Sequence, residues 1–188
     1  LDGISVRETS GVTLLAQMGL AGVQVMDPVF LLDAEHWKKL AVRPDAEGYI
    51  LVYDFDSSET VRMIARNLAE KTGKKIISVF PMEDAAEIWS DMGPREFLGA
   101  IENADCVLSN SFHATAFSMI FQKKFYVVNR QEKINTRMQD LNRLVGLEQR
   151  KNADDPIDWE DVHRRLNTHI AASKGYLERI TKGNCHDR

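Results

Sequence analysis

The sequence predicts an α/β fold: a doubly wound, mostly parallel sheet with helices on both faces, ending in a long C-terminal helix. Short apolar runs alternate with segments of helical periodicity along all 188 residues, which is typical of successive β-α-β units. The runs 49–53 and 75–80 are apolar nearly throughout, as expected of strands that helices cover on both faces. We therefore expect one Rossmann-like domain spanning residues 1–188.

The first half of the chain predicts three strands, each followed by a helix. Strands are expected over 4–7, 23–26 and 49–53, and helices over 10–17, 33–40 and 58–72. The last of these helices is the clearest. Its apolar residues recur at helical spacing between a serine cap, Ser57 or Ser58, and Gly73, which suits a helix C-terminus.

The second half continues the alternation and closes with two helices. Strands are expected over 75–80, 106–108 and 125–128, and helices over 83–89, 95–103, 112–122, 135–145 and 158–182. Pro94 suits the first turn of its helix, and Ser109, Asn110 and Ser111 form a polar run in front of another. All six strands are expected in one sheet, with ligands bound where strand carboxyl ends meet helix N-termini.

Composition and charge exclude several classes of protein. The 24 Lys and Arg residues against 28 Asp and Glu residues give a net charge of −4, which disfavours a nucleic-acid binder. No apolar run is long enough for a membrane span, so we expect a cytoplasmic protein, at most peripheral to the inner face of the membrane. Cys106 lies in an apolar run and is expected to be a small buried residue of a reduced chain.

Common nucleotide and metal motifs are missing from the sequence. There is no Walker loop, no Gly-x-Gly-x-x-Gly run after a strand and no His or Cys spacing typical of metal ligands. We therefore expect no metal and no cofactor, and neither a simple nucleotide hydrolase nor a dehydrogenase. A small or saccharide-like ligand is the more natural partner.

The loop after the strand 106–108 carries the most informative polar residues. Ser109, Asn110, Ser111 and His113 stand at a strand end and in the first turn of a helix, where backbone amides and the helix dipole favour an anion. His113 can donate a hydrogen bond to that anion or move a proton, because imidazole titrates near neutral pH. The alternative is that the serines only cap the helix and that His113 is structural.

Arginines near other strand ends are further candidates for anion binding. Arg7 follows the first strand and would present a planar, charged fork to a carboxylate or phosphate. Its alternative is a surface ion pair with Glu8 or Asp27. Arg130 follows the last strand and Arg137 lies on the helix beyond it, so either guanidinium could reach the same anion.

Several short segments, taken in order, match the pattern of a known family. They are SVRE (5–8) with SG (10–11), DPVFLL (27–32) with Trp37, YILVY (49–53), GPREFL (93–98), IENA (101–104), SNSFHATAFS (109–118), and NTR (135–137) with GL (146–147). Together they resemble the polysaccharide pyruvyl transferase family over about residues 4–150. The segment 109–118 is the most distinctive of them.

The resemblance implies a fold, a reaction and a site. Members of the family resemble two-domain glycosyltransferases of the B type, and this chain looks like the carboxyl-terminal, donor-binding half of such an enzyme. The family transfers an enolpyruvyl-derived group from phosphoenolpyruvate to sugar hydroxyls of a cell-surface polysaccharide or its lipid-linked precursor. By this resemblance His113 and Arg7 face the donor, with His113 as the general acid or as a phosphate ligand.

One departure from the family pattern bears on the donor. Ser111 stands where a characterised relative has a basic residue, so Arg130 or Arg137 would have to supply the missing charge. Ser109, Asn110 and Ser111 complete the expected donor site.

Two other functions stay open at this point. The first is a nucleotide-sugar-dependent glycosyltransferase of the B type, with a diphosphate at the same helix start and Glu132 as the candidate ribose ligand. The second is a non-catalytic binding module. On its own the chain is expected to be inactive, and to form a homodimer through the apolar surface that the other half would cover.

Overall fold

The structure, a computed structural model, describes residues 3–128 and 136–182 of the chain. These residues divide into two compact units, which are described separately below. The first unit comprises residues 3–31, 136–149 and 157–182, and the second comprises residues 32–128 and 150–156. Arg130 and Glu132, two residues singled out from the sequence, lie outside the described residues.

Strands and helices alternate along the described residues. In chain order the elements are β1 (Ser5–Val6), α1 (Thr9–Gln17), β2 (Val23–Gln24), a 3-10 turn (Pro28–Leu31), α2 (Ala34–Leu40), β3 (Tyr49–Tyr53), α3 (Glu59–Thr72), β4 (Ile76–Ser78), β5 (Glu87–Ile88), α4 (Pro94–Asn103), β6 (Ala104–Ser109), α5 (Phe112–Ile120), β7 (Lys124–Val127), α6 (Thr136–Leu144) and α7 (Trp159–Lys182). The predicted α/β class is confirmed, and α7 is the predicted long C-terminal helix.

The main sheet lies in the second unit and is parallel throughout. Its strand order is β5-β4-β3-β6-β7, which along the chain is the order 3-2-1-4-5 of a doubly wound sheet. The direction of winding reverses between β3 and β6, whose carboxyl ends are paired at Tyr53 and Ser109. The loops that follow these two strands therefore leave the sheet side by side, where ligands of such folds usually bind.

Helices cover both faces of this sheet, as predicted. Ile50 and Val52 of β3 pack with Val61 of α3 in one buried cluster. On the opposite face the Tyr49 hydroxyl donates a 2.7 Å hydrogen bond to the Ala100 carbonyl of α4. Successive side chains of a strand point to opposite faces, so an unbroken apolar run supplies a core on both.

The segment 83–89 was expected to be a helix, and this prediction is wrong, because it contains the edge strand β5. The backbone N–H of Ala86 donates to the Ile76 carbonyl at 2.8 Å, just before β5 pairs with β4. The Glu87 carboxylate of β5 also pairs with Lys75, the residue just before β4, at 2.6 Å. The segment is ordered by these contacts with β4, which outweigh its local preference.

The first two strands do not join the main sheet. β1 and β2 pair in parallel with each other inside the first unit, with Ser5 opposite Val23 and Val6 opposite Gln24. The expectation that all strands share one sheet is wrong for this pair. Each strand is two residues long, so its apolar pattern is too short to specify a partner.

Contacts between segments distant in the sequence hold the first unit together. The Met26 backbone N–H donates to the Ser173 hydroxyl of α7, and the Thr9 N–H donates to the Asp140 carboxylate of α6, both at 2.9 Å. The two late helices thus pack with the first thirty or so residues of the chain. Of the helices in the described segments, none combines the length and the apolarity that a membrane crossing requires.

Candidate functional site

His113 lies in the first turn of α5, just after the carboxyl end of β6. Ser111 is the N-cap residue of α5, and its hydroxyl accepts a 3.5 Å hydrogen bond from the Ala114 backbone N–H. The His113 side chain is exposed, and its ring meets the Phe112 ring edge to face at 5.5 Å. Within residues 3–128 and 136–182 no hydrogen bond engages its imidazole. That imidazole is therefore available to a ligand.

Ser109 and Asn110, by contrast, are buried and bind the neighbouring loop. The Ser109 hydroxyl donates to the Tyr53 carbonyl at 2.8 Å. The Asn110 amide donates to the Asp54 carboxylate at 2.5 Å, and the Asn110 side-chain oxygen accepts from the Phe55 N–H at 3.0 Å. Both side chains tie the end of β6 to the loop after β3. Their contact with a ligand stays a prediction.

Asp54 is a buried carboxylate that sequence reasoning did not single out. It is 5% exposed, and it accepts hydrogen bonds from the backbone N–H groups of Asp56 at 3.0 Å and Ser58 at 2.6 Å, besides the bond from Asn110. The carboxylate thereby shapes the turn that leads into α3, as Asp side chains often do at turns. Its position directly after the apolar run 49–53 is the signal that could have found it.

A groove with aromatic walls includes both Ser111 and His113 in its lining. It has a volume of about 630 Å³, and α2, β3, the loop after β4, α4 and α5 all contribute to it. Its aromatic residues are Trp37, Tyr53, Phe80, Phe97 and Phe117, and we call it the aromatic groove. The Phe97 ring meets the ring of Tyr53 at 5.2 Å and that of Phe117 at 6.2 Å, each edge to face.

The lining of the aromatic groove is almost free of charge. Among the described residues that line it there is no Lys, Arg, Asp or Glu, and His113 is its one histidine. Burial raises the pKa of Tyr53, which further favours the neutral form of its phenol. No hydrogen bond within the described segments engages the Tyr53 hydroxyl. Apolar walls with a few unpaired polar groups are typical of sites for small molecules.

A second cavity, of about 300 Å³, lies at the N-terminus of α3. Asp54, Glu59 and Glu83 line it together with Arg62. Arg62 itself forms ion pairs with Glu59 and Glu83. Three carboxylates against one guanidinium repel a phosphate or a carboxylate. An anionic ligand is therefore better placed at α5 than at α3.

Arg7 follows β1 in the first unit and forms an ion pair with Asp27. The two atoms, Arg7 Nη1 and Asp27 Oδ2, lie 2.5 Å apart. The Asp27 side chain is 2% exposed and also accepts from the Val29 N–H at 3.2 Å, whereas the Arg7 side chain is 43% exposed. The pairing with Asp27 weighed from the sequence is thus present, while Glu8 instead accepts from the Thr136 hydroxyl at 2.8 Å.

The two other arginines proposed from the sequence do not belong to the described residues of the second unit. Arg137 is partly buried in α6 of the first unit, and Arg130 lies in the segment 129–135, outside the described residues. The structure brings Ser109, Asn110, Ser111 and His113 together in the second unit, and Arg7 and Arg137 belong to the first. No group of three or more His, Cys, Asp or Glu side chains in the described part of the chain is arranged to hold a metal ion.

Comparison with known proteins identifies the family. The sequence model of the family described as polysaccharide pyruvyl transferase matches residues 1–132, which are more than two thirds of the 188 residues. No curated protein sequence matches the chain significantly. The matched region includes Arg7, His113 and all the strands described above. The chain belongs to the polysaccharide pyruvyl transferase family, a family of transferases.

Proposed function

We propose that the chain is the donor-binding part of an enzyme that transfers an enolpyruvyl-derived group from phosphoenolpyruvate to hydroxyl groups of a saccharide. The observation that carries this proposal is the position of His113: an exposed imidazole with no hydrogen-bond partner in the described residues, at a helix start and in the lining of the aromatic groove. The acceptor is a cell-surface polysaccharide or its lipid-linked precursor, and a cytoplasmic enzyme would meet the lipid-linked precursor at the inner face of the membrane.

The donor carries a phosphate and a carboxylate, and the start of α5 suits such an anion. The positive end of the helix dipole, the Ser111 hydroxyl and the His113 ring all favour negative charge there. The competing helix start, that of α3, is surrounded by carboxylates. Ser111 brings no charge of its own, so the remaining charge of the donor requires a basic residue from elsewhere in the protein.

The proposed chemistry needs one acid at the methylene carbon of the donor. Protonated His113 gives its proton to C3, and an acceptor oxygen bonds to C2. A second hydroxyl of the same sugar then bonds to C2 while the bond from C2 to the phosphate oxygen breaks. Of the two hydroxyl protons, one restores His113 and the other leaves with inorganic phosphate. The products are a pyruvate ketal and phosphate.

Calorimetric titration of phosphoenolpyruvate into the chain tests the donor assignment. Binding is expected, and His113→Ala is expected to weaken it about tenfold or more, because a hydrogen bond to a charged group contributes about 1.5–3 kcal/mol. His169→Ala is the matched control, since His169 is an exposed histidine of α7 in the first unit. Equal weakening in both variants would rule out His113 as a donor ligand.

Competition separates the two enzyme classes that remained open from the sequence. A nucleotide-sugar that displaces phosphoenolpyruvate, and binds more tightly than it does, would favour a glycosyltransferase that holds a diphosphate at α5. Unchanged binding of phosphoenolpyruvate in the presence of nucleotide-sugar supports the pyruvyl transferase reaction.

A further inference from the structure

We propose that the aromatic groove is a saccharide subsite, in which an uncharged sugar ring of the acceptor packs against Tyr53 and Phe97 and presents a hydroxyl to His113. The inference rests on the proposed function, because it assigns the second substrate to a place beside the proposed donor site.

The charge of the lining excludes the donor from most of this space. Phosphoenolpyruvate is a small, multiply charged anion, and the described lining of the groove supplies no Lys or Arg to replace its hydration. A volume of about 630 Å³ is also within the range of sites for larger organic ligands. An uncharged ligand of one or two sugar rings meets both conditions.

The chemistry of the walls matches the two kinds of surface on a sugar ring. The C–H groups of a hexose form an apolar face, and Tyr53 and Phe97, each partly exposed, offer aromatic surface to it. The hydroxyl groups at the ring edge need hydrogen-bond partners. The Tyr53 phenol, the Ser90 hydroxyl and the His113 imidazole line the same groove and have no hydrogen-bond partner within the described segments.

Two other occupants fit these walls less well. An alkyl chain would cover the polar groups of Tyr53, Ser90 and His113 without bonding to them, which is unfavourable. A nucleobase could stack on the rings, but its attached phosphates would meet a lining without Lys or Arg. The unpaired polar groups and the absence of charge among the described lining residues together favour the saccharide.

Binding of simple glycosides, measured by NMR on the 188-residue chain without any donor, tests the subsite. The probes are the methyl glycosides of D-glucose, D-galactose and D-mannose. At least one is expected to bind with a dissociation constant in the millimolar range and to shift the backbone signals of Ser111 and His113. Tyr53→Phe, which keeps the ring and removes the hydroxyl, and Phe97→Leu are each expected to weaken that binding about fivefold or more.

Phe55→Leu is the matched control for Phe97→Leu. Phe55 belongs to the same set of ring contacts, meeting Tyr53 at 5.1 Å, but it is 48% exposed and does not line the groove. The Phe55→Leu variant should bind the glycosides with a dissociation constant within twofold of that of the parent chain. Thermal unfolding of each variant shows whether the fold is kept, and Tyr53→Phe preserves the wall should Phe97→Leu unfold.

Three results would overturn the subsite. The first is that none of the three glycosides shifts the backbone signals. The second is that the parent and both groove variants bind the glycosides equally, and the third is that uridine monophosphate or octyl glucoside shifts the signals of the groove while methyl glucoside does not. The donor assignment fails independently, because phosphoenolpyruvate is absent from these titrations. If the glycosides bind but His113→Ala leaves the affinity for phosphoenolpyruvate unchanged, the donor assignment is wrong and the saccharide subsite stands.

Discussion

Replacing Asn110 by alanine is expected to lower the free energy of unfolding by about 3 kcal/mol. Asn110 is 3% exposed, and its amide donates to the Asp54 carboxylate at 2.5 Å while its oxygen accepts from Phe55 at 3.0 Å. A hydrogen bond to a charged group contributes about 1.5–3 kcal/mol and a neutral one about 1 kcal/mol. The two losses together amount to roughly 2.5–4 kcal/mol.

Urea unfolding measures this loss directly. The transition should be followed by circular dichroism and by tryptophan fluorescence, whose curves must coincide before a single free energy is assigned. Asn67→Ala is the matched control, because Asn67 is exposed on α3, and it should change stability by less than about 0.5 kcal/mol. If Asn110→Ala were as stable as Asn67→Ala, the buried hydrogen bonds would not hold these loops together.

A second substitution at the same site gives a pH dependence with a definite sign. Asn110→Asp places a second carboxyl group against Asp54, so the pair must bind a proton and one pKa in the variant rises above its value in the unfolded chain. A raised folded-state pKa contributes stability at low pH that is lost as the pH rises through it. Relative to Asn110→Ala, the Asp variant should therefore become less stable between about pH 4 and pH 7.

Three further substitutions test the packing of the second unit. Gly99→Ala would place a Cβ atom 1.8 Å from the Val42 carbonyl oxygen and should destabilise the fold by roughly 3 kcal/mol, whereas Gly175→Ala on α7 should be neutral or slightly stabilising in the same thermal melts. Burial raises the pKa of Cys106 to about 11, so this thiol should account for a loss of about 2 kcal/mol of stability between about pH 9 and 11, and Cys106→Ala should reduce the loss measured in urea titrations by that amount. Tyr49→Phe removes a 2.7 Å hydrogen bond to a carbonyl of α4 and should cost about 1 kcal/mol by urea unfolding.

The core of the second unit could be predicted because its elements carry their own local patterns. β3 is an unbroken apolar run, and α3 shows helical spacing, an acidic first turn and Gly73 in the left-handed conformation at its end. Cys106 is 6% exposed, as its apolar neighbours predicted. Each of these elements is specified by residues close together in the sequence, so a single sequence suffices to find it.

The elements that sequence reasoning missed depend on partners elsewhere in the chain. β5 is two residues long and exposed, and its pairing with β4 involves the ion pair of Glu87 with Lys75, twelve residues away. β1 and β2 are equally short and pair with each other in the first unit. Local propensity cannot decide between a helix and an edge strand when the deciding contacts are not local.

The aromatic groove could not be predicted from the sequence, because it also depends on residues that are distant along the chain. Its aromatic residues run from Trp37 to Phe117 and come from five separate elements, so no window of the sequence contains a pattern of them. Phe117 is 5% exposed and packs edge-on against Trp37 at 5.1 Å, which also makes it an ordinary core residue. Only the doubly wound topology brings these rings to the helix start that carries His113.

Burial divides the polar run 109–113 into two kinds of residue that look alike in the sequence. Ser109 and Asn110 are 1% and 3% exposed and satisfy polar groups of the loop after β3, whereas the His113 ring is exposed and unengaged among the described residues. A buried polar group left without its partner costs stability, and an exposed one does not. Substitution of Asn110 should therefore lower stability, with any loss of phosphoenolpyruvate binding a secondary effect, whereas His113→Ala should lower binding at unchanged stability. Measuring both quantities on both variants would separate the residues that build the site from the one that acts in it.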